Sequence, residues 1–407
     1  MAMQPTGGAQ KPLHDDEIIE LAKVFYDRTS ARHLLDEAGL PPELLPIQDA
    51  SSERFWREVN RELTFGIVED GRARILAAAL RRYPANIVFR RWVSRLGDDS
   101  GDPSKINAPI SCSSMGGHLE AFVVDDAGQL WHRWLIQDRG WSAWSNMWRP
   151  GGQVAAVAAG SHDYGHQEVA VAIGRVVHHR WWDGGWSDWH EMPALGATIK
   201  DLSFSSHSSG AWEIFAIDDA GRLHHRWWNR EAGWSNWHHM AGPGNRALSA
   251  IAAGSHSPGQ QELVAVADGE LWHRWWIPGP GWSDWGQLGG LDMRATDVAV
   301  SSLTKGHFEI FAVSASGRLR HRWYWPDPNW SDWTDMPTPT QWNAGSAPAG
   351  TAATVAAGSH SDRHQEIFTL TTDGRVYHAW NWLKDDGLPN WKSSSEWSAW
   401  HEMPLIG

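Results

Sequence analysis

Residues 271–285 read LWHRWWIPGPGWSDW, with Trp272, Trp275, Trp276, Trp282 and Trp285 in one short stretch. Close copies stand at 177–189 (VHHRWWDGGWSDW), 223–237 (LHHRWWNREAGWSNW) and 319–333 (LRHRWYWPDPNWSDW). Anchored on the histidine of the third-strand word, the copies become six: His132, His179, His225, His273, His321 and His378, at steps of 47, 46, 48, 48 and 57 residues. A period near 45–50 residues is the mark of a propeller or similar array, in which each repeat buries its faces against its neighbours. The longer last step holds extra loop, including TPTQWNAGSAPAG at 338–350, and LKDDGLPNWKSSSE lengthens the last hairpin of repeat six.

Each repeat divides into four strand-like pieces. The first ends in a serine (Ser113, Ser161, Ser206, Ser255, Ser302, Ser359). The second opens on a glutamate seven residues later: Glu120, Glu168, Glu213, Glu262, Glu309 and Glu366. A turn such as DDAG at 218–221 leads to the third, and the fourth carries W-S-x-W. Four short strands per unit make a propeller blade. Six complete units run from Ile106 to Gly407, and a seventh is not found.

Along the third strand, alternate residues point to opposite faces. Leu271, His273 and Trp275 share one, and their equivalents hardly change from copy to copy, which predicts packing between blades. The other face varies. At the place of Trp272 stand Trp131, His178, His224, Arg320 and Tyr377, and at that of Trp276 stand Leu135, Trp182, Trp228, Tyr324 and Asn381, the variation expected of a tunable surface. The first tryptophans of W-S-x-W (Trp141, Trp186, Trp234, Trp282, Trp330, Trp397) are surplus to the packing and are expected in part to reach solvent.

Exposed indole beside carboxylate, hydroxyl and imidazole suits a sugar, whose C–H face stacks on a flat ring while its hydroxyls need partners. The candidate ligand-binding set, placed between blades, is those six tryptophans, the six glutamates, and His162, His207, His256 and His360, with Ser255, His256, Glu262 and Trp282 as the set of repeat four. A competing reading pairs each glutamate with His or Arg of the third strand inside its own blade.

The first part of the chain is of another kind. Residues 11–97 hold fourteen Lys/Arg and fourteen Asp/Glu, so the whole net charge of −13 falls on the rest. Only Trp56 and Trp92 precede residue 130. The polar stretch LGDDSGDPSKINAP at 96–109 reads as a seam, which gives a helical domain at 14–97, a linker at 98–108 and the propeller at 109–407. Five short helices are expected. Asp15 or Asp16 caps the first, which runs to about Phe25; Thr29 or Ser30 caps the second, which stops at Gly39. Ser51 or Ser52 opens the third, with Phe55, Trp56, Val59 and Leu63 at helical spacing; the fourth covers Ile67 to Tyr83 and the fifth runs from about Ala85 to Leu96.

Charge is segregated within this domain: DDEIIE at 15–20 is acidic, and the span from Arg72 to Arg95 has seven arginines and no acid. Two solvated faces would explain this. So would head-to-tail association of an acidic patch (Asp15, Asp16, Glu17) on a basic one (Arg72, Arg74, Arg81, Arg82, Arg90, Arg91), a geometry suited to rings and filaments. His14 and His33 are solitary and carry no catalytic constellation.

Two resemblances sharpen these readings. ELAKVFYDRTSARHLLDEAGLPPELLP, FWREVNREL and GRARILAAALRRYPAN resemble an effector-associated domain of the bacterial death-like superfamily, over about 14–97. That resemblance implies an adaptor that pairs with like domains on effector proteins in bacterial conflict systems. LWHRWW…GWSDW, with QE or FE opening the preceding strand, resembles the bacterial propeller lectins of the Photorhabdus type over essentially all of 106–407. Many of those bind fucose or related sugars, and they are generally seven-bladed. This chain departs from an even pattern at Leu303 and Ser114, where four other repeats have His, and at Ala379, in place of the Arg of HRWW.

The leading expectation is a non-enzymatic sensor, whose propeller binds a glycan or glycan-like ligand and whose helical domain recruits an effector. A protein-binding platform without sugar chemistry is the alternative. A glycosidase needs a distinct acid and nucleophile at one place, whereas here the acids recur in every repeat. Nucleic acid is disfavoured by the acidic aromatic domain. The propeller histidines follow the repeat, with no H-x-x-x-H pair aimed at one ion, so neither a metal nor another cofactor is expected. Cys112 is alone, the first residues lack an apolar signal region, and no apolar run reaches the eighteen residues of a membrane span, which together favour the cytoplasm.

Overall fold

The computed structural model describes residues 13, 15–40, 51–64, 68, 71–83, 86, 88, 89, 106–115, 117–125, 127–136, 140–327, 329–336, 351–383 and 395–403. The chain forms two compact units, 1–100 and 101–407.

In the first unit, four helices are described: α1 (Asp15–Val24), α2 (Arg28–Glu37), α3 (Ser52–Thr64) and α4 (Gly71–Arg82). The expected fifth helix lies outside the described residues except for Asn86, which is not helical, and Val88 and Phe89, which are. The cap of α2 is Asp27 rather than Thr29 or Ser30: its carboxylate accepts from the Thr29 and Ser30 amides, satisfying donors the helix leaves open. Ser51 Oγ accepts from the Arg54 amide and helps open α3. Phe55, Trp56, Val59 and Leu63 all turn inward, and Phe25 meets Trp56 and Phe89.

The charge segregation resolves differently from the expected docking patches. Glu17 and Arg72 are buried and ion-paired to each other, with Arg72 Nε and Nη2 donating to the carboxylate at 2.9 and 2.8 Å, so they hold α1 to α4 and form no part of an exposed face. Arg81 and Arg82 are exposed, and both donate to Glu37 of α2. Arg74 is exposed, with its guanidinium close to Gly39. Asp15 and Asp16 open α1, but their side chains, and Arg90 and Arg91, lie outside the described residues.

The second unit is a propeller with six blades among the described residues. In blade four, Leu248–Gly254, Gln261–Ala267 and Glu270–Ile277 form an antiparallel meander. Two short pieces, Gly281–Trp282 and Gly286–Gln287, both pair with the third strand. The second strand reads QELVAVA because both its faces are covered. Val264 and Val266 meet Ile310 and Ala312 of blade five, whereas Leu263 and Ala265 meet Phe215 and Ile217 of blade three.

The W-S-x-W word is the fastener of each blade. Its serine hydroxyl accepts the backbone N–H of the third-strand tryptophan in all six: Ser142 from Trp134, Ser187 from Trp181, Ser235 from Trp227, Ser283 from Trp275, Ser331 from Trp323 and Ser398 from Trp380. Arg133, Arg180, Arg226, Arg274 and Arg322 each lie over both tryptophans of their own word, 5.0–5.7 Å from the ring centres. In blade six, where Ala379 replaces the arginine, Ala379 and Trp400 join the apolar core. The second tryptophan staples adjoining blades: Trp237 Nε1 donates to Pro193 O, Trp285 Nε1 to Ala241 O and Trp333 Nε1 to Gly289 O. Trp141 of blade one packs edge-on against Phe368 and His378 of blade six and closes the ring.

At the axis, the first strands line a cavity of about 420 Å³ that includes Asp201 and Asp297. Asp201 accepts the Ile251 amide of blade four and Asp297 the Val355 amide of blade six, so each carboxylate bridges two blades. Burial, then repulsion from Asp297, pushes Asp201 up to about 8. Burial pushes Asp297 up to about 6.

Candidate functional site

Each second-strand glutamate pairs in register with the third-strand tryptophan (Glu262 opposite Trp275, Glu213 opposite Trp227), which puts both on the face where the next-but-one histidine also points. All six glutamates are buried, and all six bind the histidine of their own third strand: Glu120–His132, Glu168–His179, Glu213–His225, Glu262–His273, Glu309–His321 and Glu366–His378. The in-blade pairing therefore exists. It also leaves the carboxylate at the floor of a cleft between blades.

Blade four with blade five gives the clearest geometry. Glu262 accepts from His256 Nε2 at 3.0 Å and from His273 Nε2 at 2.6 Å. Burial raises this carboxyl, but the two imidazole hydrogen bonds outweigh it and hold it below its ordinary value. Glu366, which is hydrogen-bonded to His378 and has His364 Nε2 farther off at 3.8 Å, is instead pushed up by burial. Trp330 of blade five stands edge-on to His273 at 5.6 Å, and Tyr324 approaches His256 at 5.9 Å. Together with Trp275 these groups line a cavity of about 270 Å³. Equivalent clefts of about 460 Å³ and 380 Å³ lie between blades two and three (His162, Glu168, His179, Trp181, Trp228, Trp234) and between blades one and two (Glu120, His132, Trp134, Trp182, Trp186).

The tryptophan that completes a cleft therefore comes from the following repeat. Trp186 meets His132, Trp234 meets His179, Trp282 meets Phe215, Trp330 meets His273, Trp397 meets His321 and Trp141 meets His378. The set proposed from repeat four is split: His256 and Glu262 join Trp330, whereas Trp282 serves the cleft of blade three. Ser255 closes its own loop by donating to Ser257 O and Gln260 O.

The division into a packing face and a recognition face also fails, because each blade offers one face to a cleft on either side. Leu271 is core, His273 is cleft floor, and Trp275, expected in the core, is 43% exposed at the rim. On the opposite face, Trp228 stacks on His162 and Trp276 meets His207 of the preceding blade. The first tryptophans of W-S-x-W, expected partly in solvent, are half-buried in every blade.

The remaining candidate histidine, His360, packs against His364 within blade six, ring centres 3.9 Å apart and tilted by 35°. In blade five, Leu303 is buried, and the nearby imidazole is His307, which burial pulls down to about 4. His162–His166 and His360–His364 are H-x-x-x-H pairs that sequence inspection passed over; among the described residues, no group of three or more His, Cys, Asp or Glu is arranged to hold a metal ion. Also unforeseen are His190, His238 and His401, each stacked on the third-strand tryptophan of its blade at 4.6, 4.6 and 4.7 Å.

Residues 11–97 match the family model for effector-associated domain 1. No curated protein matches the chain. Several solved structures share its fold. The BP39L lectin from Burkholderia pseudomallei is 20% identical, with 73% of this chain and 84% of that one covered and a TM-score of 0.53. The fungal Aleuria aurantia lectin, described as a six-bladed β-propeller with a novel fucose recognition mode, is 14% identical, with 73% and 94% covered and a TM-score of 0.51. AofleA from Arthrobotrys oligospora is 11% identical, with 74% and 88% covered and a TM-score of 0.54. A segment that matches effector-associated domain 1 is thus joined to a six-bladed propeller, the fold described for the Aleuria aurantia lectin.

Proposed function

We propose that this chain is a non-enzymatic sensor, whose propeller binds a glycan or glycan-like ligand in the clefts between blades and whose helical domain recruits an effector with a like domain, in the cytoplasm of a bacterium as part of a conflict system. The observation that carries the reading is the recurring cleft: a buried carboxylate oriented by imidazole, walled by indoles from two adjacent blades. The carboxylate supplies acceptors for sugar hydroxyls, and the ring faces suit the C–H side of a pyranose. Cavities of about 270–460 Å³ are of ligand size. In this reading Glu120, Glu168, Glu213, Glu262, Glu309 and Glu366 hold hydroxyls, and Trp141, Trp186, Trp234, Trp282, Trp330 and Trp397 form the far walls. His162, His207, His256 and His360 tune individual clefts. Several weak sites on one ring gain by multivalency on a repetitive surface. Among the described residues, the exposed Arg74, Arg81 and Arg82 are the part of the basic face open to a partner.

The test is a glycan array probed with the full chain, followed by tryptophan fluorescence titration of each hit. Saturable quenching by one sugar class, weakened by Glu262→Gln with Trp330→Ala and by the matching pairs in other clefts, is expected. No binding by folded protein across the array refutes the glycan reading. For the helical domain, Arg81→Glu with Arg82→Glu is expected to abolish co-purification with the effector; unchanged capture refutes the assigned surface.

A further inference from the structure

The six clefts differ at one position that lies outside the glutamate–histidine floor. Opposite each third-strand histidine, the last strand places Ser145, His190, His238, Gly286, Thr334 or His401. Where it is histidine, the imidazole stacks on the rim tryptophan within 23° of parallel and covers that part of the ring. In blade four the position is Gly286. Among the described residues, the only ring contact of Trp275 is its own neighbour His273, tilted at 5.7 Å. A Cβ built on Gly286 would meet no atom nearer than the His273 carbonyl oxygen at 3.8 Å, its chain neighbours aside. Trp275 is 43% exposed and Trp227, although His238 lies on its ring, 38%, whereas Trp134 and Trp323, beside Ser145 and Thr334, are half-buried; what sets Trp275 apart from Trp227 is the uncovered ring face.

We infer that the cleft between blades four and five continues past Trp275 into a second sugar subsite over Gly286, so that this cleft takes a disaccharide or longer glycan while the histidine-covered clefts end after one unit. The inference rests on the glycan reading above. It follows from an indole face left open directly beside the carboxylate floor. A second pyranose linked to one seated on Glu262 can lay its apolar side on that face, and the same linkage in blades two, three and six would meet an imidazole.

The experiment is calorimetric titration of the full chain with the methyl glycosides of fucose, mannose, galactose, glucose and N-acetylglucosamine, and with disaccharides containing whichever of these binds. The wild type is expected to show one class of about one site that prefers the disaccharide by roughly 5–10-fold, the effect of one added aromatic contact. Gly286→His, whose Cβ meets no clash and which needs no left-handed backbone, should bring that ratio to about one. His238→Gly should create a second disaccharide-preferring site in blade three. A ratio equal in wild type and Gly286→His overturns the inference and leaves the glycan reading standing. Absence of binding by every probe overturns both.

Discussion

Replacing Arg72 with methionine tests the interior of the helical domain and the reassignment of Glu17 and Arg72 from partner surface to core. The pair is fully enclosed: Glu17 is 0% exposed, Arg72 is 7% exposed, and two hydrogen bonds of 2.9 and 2.8 Å join them. Removing Arg72 takes the neutralising guanidinium away from a buried carboxylate, which costs about 3–5 kcal/mol, far more than the pair contributes over an apolar substitute. A domain of this size has roughly 4–13 kcal/mol in total. Arg72→Met alone should therefore lower the melting temperature of the helical unit by more than about 12 °C. Glu17→Leu combined with Arg72→Met should recover most of the loss, because both charges leave together. Circular dichroism at 222 nm reports this transition, since helix is concentrated in the first unit. If Arg72→Met melts within about 3 °C of wild type, or if the double variant is as unstable as the single, the pair is not the buried strut described above.

Other outcomes follow from the propeller. Trp330→Ala should shift the ring protons of His273 in the NMR spectrum by removing an edge-on indole at 5.6 Å, while Trp282→Ala leaves them in place; the reverse would return each cleft to a single repeat. Ser283→Ala should cost about 1 kcal/mol in calorimetry, because it removes the acceptor of the Trp275 amide. Gly160→Ala should cost about 1–3 kcal/mol, since its Cβ would lie 2.7 Å from Trp212 at a blade interface; an unchanged melting point would contradict that packing. The Asp201 carboxyl is raised in the folded state from 3.8 to about 8, so the folded propeller favours its protonated form. Its contribution is present below about pH 4 and is lost as pH rises through 8. Asp201→Asn should flatten the fall in melting temperature between pH 5 and 9, and an unaltered profile would refute the assignment.

The two kinds of domain and the blade count were legible in the chain because they depend on local patterns: a repeat of strand words, and apolar residues at helical spacing. Phe55, Trp56, Val59 and Leu63 point inward as their spacing requires. Glu262 and its five equivalents also stood out, because a carboxylate at a fixed place in a strand recurs visibly. Asp27 was missed as a cap because three nearby side chains offered the same hydrogen bond, and only the turn geometry selects among them.

Sequence alone thus determined which residues recur and which strand each occupies. It could not assign the partner of each recurring residue, because repeats adjacent in space bury faces that period-two alternation leaves equivalent. Only the closed ring placed Trp330 with Glu262, moved Trp282 to the cleft before it, and turned Trp275 from presumed core to open rim. The physical reason is that a blade has two covered faces and a cleft needs one from each neighbour, so the unit of recognition is offset from the unit of repetition.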